Sequence, residues 1–150
     1  MKTLIITAVF IMGCATRVIA QNPVHWKYSS EKLADRTFQV HLTATIDDGW
    51  HVFSQVQPPD AVAAPSQIKF THNPLIQLQG KIKEVGKREV YENREIGISA
   101  YQYAATLDFV QIVQLKTNAK IYIQGTIVFM ACTNESCLPP MTVPFTLQLQ

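Results

Sequence analysis

The chain has 150 residues, 47% of them hydrophobic, with 13 Lys and Arg against 11 Asp and Glu for a formal net charge of +2. That near balance comes with no basic block and no Lys/Arg stripe interleaved with aromatics, which excludes the phosphate-neutralising surface that nucleic acid requires. The length suits a single domain whose core does not depend on disulfides.

In chain order, Met1-Lys2 gives a short positive start and Leu4 to Gly13 an apolar stretch too short to span a bilayer. Residues 1–20 read as a signal peptide. Val18 and Ala20 supply the small or aliphatic residues that suit cleavage after Ala20, leaving residues 21–150 as an exported domain. A second processing route is open at Ile11-Met12-Gly13-Cys14, which loosely follows a lipobox and would leave a lipoprotein anchored through Cys14. By either route Cys14 takes no part in redox chemistry. Loss of Lys2 and Arg17 leaves eleven basic residues against eleven acidic ones, so the mature chain is expected to be neutral. With no second long apolar segment, any membrane-borne partner is expected to be a separate polypeptide.

From Phe38 to Ile46 apolar residues alternate with polar ones, the period of a strand. Asp47-Asp48-Gly49 supplies a turn and Trp50-His51-Val52-Phe53 resumes an aromatic and β-branched run, so the two segments are expected to form a hairpin that ends before Pro58-Pro59. Further strands are expected at Gln67 to Thr71, Leu75 to Gln79, Glu89 to Ile98, Tyr101 to Leu115, Lys120 to Met130 and Thr142 to Leu149. No segment has the spacing of an amphipathic helix. Seven or more short strands separated by Pro, Gly or Asn predict an all-β protein, an antiparallel β-sandwich with a barrel as the competing closure.

Chemistry concentrates near the end of the chain, where Cys132 and Cys137 lie on the connection between the last two expected strands. Four intervening residues can fold back to bring two Cα atoms within the roughly 4.4 to 6.8 Å that a disulfide requires. Closing so small a loop contributes roughly 2 kcal/mol in the chain-entropy account, against about 4.7 for a hundred-residue loop, so this is a poor place for a purely stabilising staple. A pair near a loop tip is also open to an attacking thiolate. Spacing alone leaves two readings: a redox-active pair, or a short disulfide that rigidifies a turn in an exported binding module. A Cys2His2 zinc site built with His25, His41, His51 or His72 lacks any His pair at ligand spacing, and there are too few cysteines for an iron-sulfur cluster. There is no Gly-x-Ser-x-Gly elbow, and Asp47, Asp48, Glu92 and Glu95 read as turn and surface charges, which weighs against a hydrolase.

The run Cys132-Thr133-Asn134-Glu135-Ser136-Cys137-Leu138-Pro139-Pro140, followed by Val143-Pro144-Phe145, resembles the active-site signature of the amino-terminal domain of the thiol:disulfide interchange protein DsbD. Two more stretches resemble that family in the same order: Asp48-Gly49-Trp50-His51-Val52-Phe53-Ser54 and Gly86-Lys87-Arg88-Glu89-Val90-Tyr91. The resemblance implies an immunoglobulin-like antiparallel β-sandwich in the periplasm that relays reducing equivalents through Cys132 and Cys137 without a cofactor or a metal. It implies that Cys137 forms the mixed disulfide and Cys132 resolves it. The implied partners are thioredoxin-like periplasmic proteins and a membrane electron donor, here expected to act in trans.

The resemblance also implies that His51 and Phe53, two apart on one strand and so on one face, line the cysteines. Against it stand the plain readings of His51 as a partly exposed strand residue and of Phe53, Trp50 and Tyr91 as core. The family shields its disulfide with an aromatic cap loop just before the matching glycine. This chain has Lys83-Glu84-Val85 there and no aromatic, so either Val85 caps less completely, or the cysteines are more open to other thiols, or the shield comes from elsewhere.

Overall fold

The computed structural model describes residues 22–150; the expected signal peptide over residues 1–20, its cleavage site after Ala20 and Cys14 lie outside the described residues. The described chain is all-β, with eleven strands: β1 (Val24–Ala34), β2 (Thr37–Ile46), β3 (His51–Phe53), β4 (Gln67–Phe70), β5 (Ile76–Val85), β6 (Arg88–Asn93), β7 (Ile98–Tyr103), β8 (Thr106–Leu115), β9 (Ile121–Phe129), β10 (Ala131–Cys132) and β11 (Met141–Leu149). They form three antiparallel sheets with strand orders β1-β2-β8-β5, β10-β3-β7-β6 and β11-β9-β4. Together these make the expected immunoglobulin-like sandwich.

The inner residues of β2 (Phe38, Val40, Leu42, Ala44, Ile46) and β8 (Leu107, Phe109, Val113, Leu115) meet Ile121, Ile123, Ile127 and Phe129 of β9 and Phe145 and Leu149 of β11. Val52, Tyr103 and Ala131 extend the same core into the sheet that holds β3, β7 and β10. Strict period-two burial along β2 and β9 is what produced the legible alternation in the sequence. β1 is an edge strand whose side chains beyond Tyr28 are exposed, so its alternation fades and the sequence gives little sign of it.

The expected hairpin of Phe38–Ile46 with Trp50–Phe53 does not form. β2 pairs with β1 and β8, whereas β3 pairs with β7 and β10 in another sheet. The turn residues are real, since Gly49 has φ 81° and the Trp50 amide donates to the Asp47 carbonyl at 3.1 Å. The Asp47 amide donates instead to Pro23 O, and the Ile46 amide to Ala105 O, so the β2 end is already paired and the chain is carried across to the other sheet.

Three other boundaries moved for visible reasons. β5 runs on past Gln79 through a bulge at Gly80, φ 69°, where the buried Gln111 side chain donates its Nε2 hydrogens to the Gln79 and Ile112 carbonyls. The Glu89–Ile98 segment breaks into a hairpin because Asn93 Oδ1 accepts from the Glu95 and Ile96 amides and Gly97 takes φ 67°. Tyr101–Leu115 breaks at Ala105, φ 64°, where the Thr106 amide donates to Ala104 O in a tight turn that moves the chain from one sheet to the other.

Candidate functional site

β9 ends at Phe129, and after Met130 the chain leaves its pairing with β11 and β4 to run beside β3 as β10. That change of partner sets Cys132 opposite His51 and Ala131 opposite Val52. Beyond Cys132 the chain folds back on itself. The Thr133 amide donates to Ser136 O, the Thr133 hydroxyl accepts from the Glu135 and Ser136 amides, and the Leu138 amide donates to Ala131 O. Cys137 is thereby held as the antiparallel bridge partner of Cys132.

The two are joined in a disulfide with Cα atoms 4.0 Å apart. This is closer than the sequence spacing suggested, because the residues face each other between two hydrogen-bonded pairs, where strands approach most nearly. The two cysteines differ in access. Cys132 is 1% exposed and packs with Phe53, Ala100, Ala63 and Met130, while Cys137 is exposed.

A cleft of about 510 Å³ opens over the disulfide. Its floor is the face of the β10-β3-β7-β6 sheet turned away from the core: Cys132, His51 and Phe53, then Ala100 and Gln102, then Tyr91. His51 and Phe53 both lie on it, with ring centroids 5.4 Å apart in an edge-on contact. His51 is 9% exposed rather than a partly exposed strand residue, and burial holds its imidazole below the ordinary value, with the charge of Glu89 opposing that shift. Phe53 is buried as the core reading expected, but against the cleft rather than in the main core. Trp50 packs half-buried on the main core, whereas Tyr91 is 41% exposed at the outer end of the cleft floor and is not a core residue.

Val85 is not among the residues lining the cleft. It sits at the end of β5 opposite Asp108 and is 56% exposed. Its neighbour Glu84 turns the other way and ties three elements together, accepting from the Ser54 hydroxyl at 2.7 Å, the Gln55 amide at 2.6 Å and the Tyr103 hydroxyl at 2.8 Å. The wall facing the cysteines comes instead from Val62, Ala63 and Ala64 in the segment between β3 and β4. That segment is pinned by the Ser66 hydroxyl on Phe53 O, by Gln57, which bonds both the amide and the carbonyl of Tyr101, and by the Ser99 hydroxyl on Asp60. The sequence signal for it was an apolar run, Ala61 to Ala64, set in a loop between Pro58-Pro59 and Pro65 where polar residues are the rule.

Only His51 of the four histidines lies beside the cysteines. His25 pairs with Asp47, and His41 with Asp108 at 2.7 Å. Among the described residues no group of three or more His, Cys, Asp or Glu is placed to hold a metal ion.

Fold and site thus define an antiparallel sandwich with a half-exposed disulfide at the mouth of an apolar cleft. No family model and no curated protein matches the chain. Among solved structures, it is similar to the N-terminal periplasmic domain of ScsB from Proteus mirabilis, at 14% identity and a TM-score of 0.56, over 86% of this chain. The chain spans 47% of that ScsB chain. It also aligns with the DsbD N-terminal domain of Neisseria meningitidis in its reduced form, at 16% identity and a TM-score of 0.49, over 80% of this chain and 82% of the other. The fold is shared with that ScsB N-terminal periplasmic domain.

Proposed function

We propose that the chain is a periplasmic thiol-disulfide exchange module, in which Cys137 forms the mixed disulfide and Cys132 resolves it. The observation that carries this reading is the asymmetry of the pair: one sulfur buried on the cleft floor, the other exposed at its edge. Thiol exchange is governed by access, and Cys137 is the more exposed of the two. The partner disulfide is attacked by the Cys137 thiolate, and Cys132 then attacks Cys137 to release the partner as a dithiol. The exchange moves two electrons and needs no cofactor.

On this reading, thioredoxin-like periplasmic proteins bring their cysteines to the cleft mouth, and a membrane-borne donor returns the pair to the dithiol. The reading draws further support from the Cys132-to-Pro140 resemblance and from a fold shared with a periplasmic domain. The test is the reduction potential of the pair, measured by equilibration with thiol redox buffers and trapping of free thiols. A relay gives roughly −180 to −270 mV; a value below about −300 mV makes the bond a structural staple and ends the proposal.

A further inference from the structure

His51, Cys132 and Cys137 form one row across three neighbouring strand segments: Cys132 is opposite His51 on one side and opposite Cys137 on the other. Direct cross-strand partners project to the same face with Cβ atoms about 4.5 to 5.5 Å apart, so the imidazole and the buried sulfur share one side of the sheet. Both line the cleft, and Phe53 touches both, its ring edge-on to His51 and its side chain packed in the cluster around Cys132.

We propose that His51 is the base of the resolving step. This rests on the exchange reading above. Once Cys137 is joined to a partner sulfur, Cys132 is a buried thiol, and burial disfavours its thiolate. His51 takes the Cys132 proton and becomes imidazolium. The thiolate attacks Cys137 Sγ, the Cys132–Cys137 bond forms as the Cys137–partner bond breaks, and the leaving partner thiolate takes the proton back from the imidazolium. Electrons and protons balance, and His51 ends neutral as it began.

The other groups around it fit that role. Glu89 on β6 is the charge that favours the imidazolium. Tyr91 on β6 and Glu135 in the turn also line the cleft, while β7 adds only uncharged Ile98, Ser99, Ala100 and Gln102. A neutral imidazole at rest, held down by burial, is a base ready to accept a proton, and Glu89 acts on it as a positioning residue rather than on the sulfur.

The experiment mixes reduced protein with excess 5,5′-dithiobis(2-nitrobenzoate) and follows nitrothiobenzoate release by stopped flow. Attack by Cys137 gives a concentration-dependent phase, and attack by Cys132 on the resulting mixed disulfide gives a first-order phase. In the wild-type protein the first-order phase rises through the His51 titration below about pH 6.5 and is flat above it. In His51→Gln it slows on the order of 100-fold at pH 7, climbs with pH as the free thiol ionises, and recovers near pH 9, while the concentration-dependent phase stays within about twofold. In Glu89→Gln the wild-type inflection moves to lower pH.

An unchanged first-order phase in His51→Gln, or a slowing equal at every pH, overturns the proposal. A wild-type profile that tracks thiol ionisation up to about pH 9 overturns it without any variant. Because the probe is a small disulfide, the outcome does not depend on a protein partner, so this proposal and the relay reading fail by different measurements.

Discussion

Cys132 and Cys137 face each other across an antiparallel bridge with Cα atoms 4.0 Å apart, yet the first is 1% exposed and the second is open to solvent. The division follows from the sheet: Cys132 is paired on both sides, by His51 and by Cys137, whereas Cys137 has a neighbour on one side only. Separating the two thiols by mutation therefore gives unequal variants. In Cys132→Ser the remaining Cys137 is expected to be alkylated by iodoacetamide on the order of ten times faster than Cys132 in Cys137→Ser, and to be the variant that accumulates mixed disulfides. Equal alkylation rates, read by mass spectrometry over a time course, would remove the structural basis for assigning the two roles.

The wall over the cysteines is the β3–β4 segment rather than Val85, and the two locations predict different mutants. Val85→Ser changes an exposed side chain on the far side of β5 and is expected to leave the rate of disulfide reduction by glutathione unchanged, within the roughly 0.5 kcal/mol typical of surface changes. Asp60→Ala removes the acceptor of the Ser99 hydroxyl and loosens the segment that carries Val62 to Ala64. Local opening should then raise the alkylation rate of reduced Cys132 several-fold while Cys137 is unaffected. A faster Val85→Ser with an unchanged Asp60→Ala would return the cap to the place first expected.

At Gly125 the two strands flanking β9 in its own sheet crowd in so closely that only a glycine fits. A Cβ there would overlap the Lys69 carbonyl oxygen of β4 and lie 2.6 Å from Phe145 Cζ of β11. Lys69 O belongs to a paired backbone and cannot swing aside, and the Phe145 ring is itself packed edge-on to Phe70 at 5.5 Å. Gly125→Ala is expected to lose about 1 to 3 kcal/mol in urea denaturation, the ordinary cost of forcing a methyl into a filled core. A change below about 0.5 kcal/mol would mean that β4 and β9 are free to part.

What the sequence disclosed, and what it concealed, follows the burial of particular strands. β2 and β9 have one face in the core and one outside, so their alternation was plain and their bounds came out within a residue or two. Which strands pair was not legible: Asp47-Asp48-Gly49 has the chemistry of a hairpin turn, but pairing is decided by Pro23 and Ala105, each more than twenty residues away. The site was half visible. The cysteines, His51 and Phe53 carry reactive or aromatic groups on a recognisable run, whereas Val62, Ala63 and Ala100 form the cleft by shape alone, and nothing in an alanine's chemistry announces where it packs. Glu84 lies in the stretch where a cap was expected, but its three hydrogen bonds depend on Ser54 and Gln55, just after β3, and on Tyr103 of β7.

That Glu84 junction yields the last prediction. Tyr103 is buried with its hydroxyl on Glu84, and burial together with the carboxylate pushes the phenol up to about 12. In the unfolded chain the same phenol ionises near pH 10. Since the folded value is the higher one, this interaction stabilises the fold fully below about pH 10 and its contribution is lost as pH rises from about 10 to about 12. Tyr103→Phe keeps the ring in the core but gives up the hydrogen bond, and should cost about 1 to 2 kcal/mol at pH 8 in urea denaturation, with the difference from wild type shrinking towards pH 12. Tyrosinate absorbance supplies the independent check: one of the five tyrosines should titrate well above the rest in the folded protein, and that late step should vanish in Tyr103→Phe. If the late step persists in the variant, the raised phenol is a different tyrosine and the Glu84 contact does not hold Tyr103 in its neutral form.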